Sequence, residues 1–157
     1  MIDMSGMRLA VYWSDVPGVG TGPSASLYVL EEEILRLDCF GGQDGHLHVN
    51  PEQYDLYTRF SGHTPRIYFP PGSRQEHVER AAFELRRNAV AAARMSPIER
   101  IRACPLAEED LASAAESMRR IMSRMLTEHL PEAGQAIARD GRNHATANIS
   151  CTLQNSP

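Results

Sequence analysis

FPPGSRQEHVERAAFELRRNAVAAAR, residues 69–94, is the stretch on which the fold turns. Pro70, Pro71 and Gly72 punctuate the chain, and Ser73 with Glu76 forms an S-x-x-E capping box, in which each side chain accepts from the other residue's otherwise unpaired backbone N–H. Val78, Ala81, Ala82, Leu85, Ala89 and Ala92 then recur at helical spacing, which predicts a helix stopping near Met95, because Pro97 disfavours helix in the residue before it.

Before this switch the period is that of strands. RLAVYWS (8–14) reads as a strand, followed by DVPGVGTGPS (15–24) as a loop. SLYVL and EILRLDCF form a hairpin across Glu31 and Glu32 that sets Leu35, Leu37 and Cys39 on one face, and a second hairpin runs through GGQDG into HLHV. RIYFP (66–70) is a further strand, with PEQYDLYTRFSGHT (51–64) as a loop or helical turn. After Pro105 a second helix is predicted. Glu108, Glu109 and Asp110 lie near its positive end, Leu111, Ala115, Met118, Met122 and Met125 form a stripe, and Pro131 lies beyond its end. The expected fold is α+β: an antiparallel meander of four to five strands followed by two packed helices, one domain over 1–130, with a poorly ordered tail over 131–157 that has room for a short strand at TANISCTL.

Composition narrows the function. A chain of 157 residues is one domain's worth, and 42% hydrophobic with 23% charged residues is a globular balance. No apolar run approaches the roughly 18 residues of a membrane span, and the start lacks the pattern of a secretory signal, so no membrane partner and a cytoplasmic location are expected. Cys39, Cys104 and Cys151 form no C-x-x-C pair and are expected as free thiols. A net charge of −4 without a basic block argues against a nucleic-acid partner. All 16 basic residues are arginine. That excludes Walker-type phosphate loops, pyridoxal Schiff bases, kinase-type catalytic lysines and lysine nucleophiles.

The sharpest chemical signal is GGQDGHLHVNPE, residues 41–52. His46 and His48, one residue apart on a strand, face the same way and can reach one ion. The stretch from Gly41 through His46 and His48 to Glu52 resembles part of the first metal motif of the cupin family. The resemblance implies a divalent transition metal held by His46, His48 and Glu52, with His77 of PPGSRQEH completing the set. The chain departs from that family in its glycine spacing, in the position of His77 after its Pro-x-Gly, and in turning helical where a cupin barrel must stay β. For that reason the favoured reading is a hairpin strand with both histidines exposed on its polar face and Leu47 and Val49 toward the core. His63 is a further imidazole that folding can bring near.

Other candidates carry less chemistry. PGVGTGPS lacks dinucleotide-loop spacing and reads as a connection, and Glu31, Glu32 and Glu33 as a solvated tip. Cys39 can be set across from a histidine but reads as a small core residue. Arg80, Glu84, Arg86 and Arg87 form the wet face of a helix. The stripe of Met118, Ile121, Met122, Met125 and Leu126 is wide enough to cover a core and a second surface, which points to homo-oligomer formation or a larger protein partner through helix 107–130. The segment from RLAVYWS to ERAAFELRRN resembles a family of short bacterial proteins known as a domain of unknown function, which implies no residue roles. Two functions are therefore expected, in this order: a small cytosolic binding or accessory protein that self-associates, and a metal-dependent, cupin-like enzyme using the His-x-His site. No catalytic residue is assigned.

Overall fold

The computed structural model describes residues 1–4, 6–51 and 65–130. Strands β1 (Ile2–Met4), β2 (Met7–Val16), β3 (Gly20–Val29), β4 (Glu32–Asp38), β5 (His46–Val49) and β6 (Ile67–Tyr68) precede helices α1 (Arg74–Arg94), α2 (Glu99–Arg102) and α3 (Glu108–His129). The strands form a single antiparallel meander in sequence order, so the α+β architecture is the one the change of period indicates, with short β1 and β6 extending the sheet at its ends. The tail 131–157, with Cys151, lies outside the described residues.

Where a loop is expected over 15–24, the chain instead makes a tight turn and starts β3 at Gly20. The glycines lie inside the strand because a neighbour needs the space: a Cβ on Gly22 would come 2.5 Å from the Cys39 carbonyl oxygen. Glycine in a strand commonly marks such a close backbone approach.

One face of the sheet is the core. Leu9, Ala25, Leu27, Leu35, Leu37, Cys39 and Leu47 are buried there with Val78, Ala81, Leu85 and Ala89 of α1 and Leu111, Ala114, Met118 and Met122 of α3. Each fully buried aliphatic side chain contributes about 1.5–3 kcal/mol by leaving water. The β3–β4 register shifts at Leu27/Tyr28, where Leu35 pairs with Leu27 but Glu33 pairs with Tyr28. Ile34 is the extra residue of this bulge, so Ile34 and Leu35 are both buried in the core, and Glu33 falls beside Arg36 in a two-pronged ion pair.

Helix α1 starts as its sequence predicts. Ser73 is the N-cap, its hydroxyl accepts from the Glu76 N–H, and the Glu76 carboxylate accepts from the Ser73 N–H at 2.7 Å. Helix α3 has no side-chain N-cap, and Glu108, Glu109 and Asp110 offset the positive end of its dipole instead. Its far end is tied to the sheet by Trp13, stacked on His129 at 4.2 Å and 13°.

Candidate metal centre

The face of the sheet opposite the core is polar, and register decides what meets there. With Leu35, Leu37 and Leu47 turned inward, period-two alternation turns Asp38, His46 and His48 the other way. Cross-strand pairing then lines up Tyr12, Ser24, Asp38, His46 and Tyr68 in one row, and Ser26, Arg36 and His48 in the next. Contrary to the favoured reading of the sequence, the histidines are not exposed: His46 is 2%, His48 6% and Asp38 6% accessible.

Asp38, His46 and His48 form a buried group whose ligand atoms, one from each, lie within 4.8 Å of one another, and such a group can hold a metal ion. His46 Nε2 is 3.4 Å and His48 Nε2 3.7 Å from Asp38 Oδ2. These separations are longer than charge-assisted hydrogen bonds of about 2.7–2.9 Å. They are close to the roughly 3.3–3.6 Å edge of a tetrahedron built from 2.0–2.2 Å metal–ligand bonds.

Each member is held from behind. His46 Nδ1–H donates to the Asp44 carbonyl at 2.6 Å, and His48 Nδ1–H to the Pro65 carbonyl at 2.9 Å. In the neutral imidazoles this leaves the Nε2 lone pairs facing Asp38 Oδ2. Asp38 Oδ1 accepts from the Ser24 hydroxyl at 2.6 Å, a buried contact across β3 and β4. Metal-ligating histidines and carboxylates characteristically carry outer partners of this kind. His48 has its pKa pushed down, chiefly by burial and then by the neighbouring His46, which favours the uncharged form a metal requires.

The cluster opens on a cavity of about 230 Å³ that Tyr12, Ser14, Phe40, Arg36 and Arg66 also line. The Tyr12 hydroxyl is bonded to Ser26 at 3.1 Å, and burial raises its pKa, keeping it a neutral phenol.

Of the expected ligands, His46 and His48 meet, and Glu52 and His63 lie outside the described residues. His77 is not part of the group. Its Nδ1 accepts from the Gly41 N–H at 3.0 Å and its Nε2–H donates to the Pro70 carbonyl at 3.0 Å, so both ring nitrogens are committed to main chain. A Cβ on Gly45 would come 2.0 Å from His77 Nδ1, so this loop closes on the imidazole only because residue 45 is glycine. His77 thereby braces the β4–β5 loop that carries Asp44, the acceptor of the His46 ring. Cys39 lies in the core, away from the histidines, with its thiol pushed far up by burial, which removes it as a nucleophile.

Asp38 is the member of this group that motif matching passes over, because it belongs to the preceding strand. The signal was the alternation itself: once Leu37 and Cys39 face the core, Asp38 must face the histidines across the hairpin. Among the described residues no helix is long and apolar enough to cross a membrane. No family model, curated protein or solved structure matches this chain, so the reading of the centre rests on its geometry.

Proposed function

We propose that this protein is a metal-dependent enzyme, with a divalent transition metal held by Asp38, His46 and His48 and its remaining coordination positions turned to the adjoining cavity. The observation that carries this reading is the outer shell: the Nδ1–H groups of both histidines and the second oxygen of Asp38 are each engaged by another group, which orients three ligand atoms toward one point. Two imidazoles and a carboxylate suit zinc or iron(II), and three protein ligands beside an open cavity are the mark of a catalytic rather than a structural site. A bound metal would supply Lewis acidity and acidify a coordinated water. The chain's own groups orient the ligands, and Tyr12 and Ser14 present hydroxyls to whatever enters.

Metal analysis of protein purified without a histidine tag tests the proposal. Stoichiometric zinc, iron, manganese or nickel is expected, lost in Asp38→Ala, His46→Ala and His48→Ala and kept in a folded His77→Gln variant. An untagged protein that takes up none of these ions when they are supplied, or that binds them equally well after Asp38→Ala, would overturn it.

A further inference from the structure

The cavity beside Asp38, His46 and His48 has a one-sided chemistry. Among the described residues, its polar side chains other than those three are the cations Arg36 and Arg66 and the hydroxyls of Tyr12 and Ser14, each able to donate. Among the described residues Asp38 is the sole carboxylate in the lining, and it belongs to the candidate ligand group. The carboxylate of Glu33, 1% accessible, is engaged from two sides by Arg36 Nε and Nη2 and does not line the space. Arg36 and Tyr12 already have partners in Glu33 and Ser26, so a neutral apolar guest would leave chiefly Arg66 without an acceptor, which is costly once water is displaced.

Arg66 is the distinctive member. It is exposed at the rim and has no ion-pair partner among the described residues. Its position is not incidental. His46 pairs with Tyr68 and Leu47 with Ile67, so the same antiparallel register carried one step further sets Arg66 opposite His48. The residue before it, Pro65, supplies the carbonyl that fixes the His48 ring. The segment that orients one ligand therefore also delivers a guanidinium to the rim of the same cavity. At about 230 Å³ the space is below the roughly 300–1,000 Å³ of pockets for drug-sized ligands, so its guest is small.

We infer that the cavity binds a small oxyanion, a carboxylate or phosphate, with one oxygen directed to the metal position between Asp38, His46 and His48 and another paired with Arg66. This rests on the proposed metal centre and adds the class of ligand. A guanidinium fork matches the planar or tetrahedral oxygens of such groups and stays charged at any working pH.

Two probes separate the two sources of the shared chemistry: inorganic phosphate and succinate, titrated calorimetrically into metal-free and cobalt-loaded protein while the visible cobalt spectrum is followed. At least one of them is expected to bind the cobalt form and shift its spectrum. Arg66→Ala should weaken that binding roughly ten- to a hundredfold, the loss of a charge-assisted hydrogen bond, and Arg66→Lys should restore part of it. Imidazole, a neutral ligand of cobalt, should bind the wild type and Arg66→Ala equally, showing that the metal site itself is intact. Cobalt uptake with no binding of either anion, or with equal binding after Arg66→Ala, would overturn the oxyanion site and leave the metal centre standing. A protein that takes up no cobalt but binds phosphate or succinate through Arg66 would overturn the metal centre and keep the anion site.

Discussion

Ser24 carries no charge and coordinates nothing, yet its hydroxyl donates to Asp38 Oδ1 at 2.6 Å and so decides which carboxylate oxygen faces the histidines. If Asp38 is a ligand, Ser24→Ala should weaken metal binding about 10- to 100-fold, the usual effect of removing an outer partner. A competition titration with a zinc chelator would read this, and an unchanged affinity would mean that Asp38 is oriented by other means. At this scale the sequence was half legible. His46 and His48 announce themselves by spacing, whereas Asp38 shows only when the inward-facing Leu35, Leu37 and Cys39 are used to orient the residue between them. His77 was misleading for a physical reason: an imidazole bonded at both nitrogens to Gly41 and Pro70 leaves the same trace in a sequence as a ligand does. Burial was invisible too, since an H-L-H strand reads as half solvated, and nothing local says that its polar face is covered.

Elements were easier to read because their signals are local. The capping box at Ser73 is present with both reciprocal bonds, and Ser73→Ala should lower stability by about 1 kcal/mol. Chemical denaturation would show it as a lower midpoint with an unchanged slope, and a shift within error would mean that water replaces the cap at no loss. The consequence reaches the site, since α1 begins where His77 braces the loop bearing Asp44. The same local logic failed over 15–24, where Gly20 and Gly22 look like loop but sit in β3, because the reason for glycine is the approach of Phe40 to Gly20 and of Cys39 to Gly22 just past the end of β4, contacts distant in sequence. The Ile34–Leu35 doublet is a subtler case: two apolar residues in succession break alternation, and the structure resolves the break as a bulge that keeps both in the core.

At the scale of the molecule the sheet carries the helices and core on one face and the candidate centre on the other, the two joined through His77 at the start of α1. The methionine stripe of α3 belongs to the core face. Met118 and Met122 are fully buried within the single chain, which makes Met122 unavailable to a partner and leaves the half-buried Ile121, Met125 and Leu126 as the part of the stripe open to one. Met122→Glu would place a carboxylate in the apolar core between α3 and the rest of the cluster. The expected cost is on the order of 4 kcal/mol or more, a large part of the roughly 5–15 kcal/mol that holds such a domain together. Circular dichroism should therefore show a melt at much lower temperature or a loss of helix, while Met125→Glu leaves the spectrum and the melt near those of the wild type. A Met122→Glu protein that keeps the wild-type melt and changes only its sedimentation would show that α3 buries this side chain between chains instead.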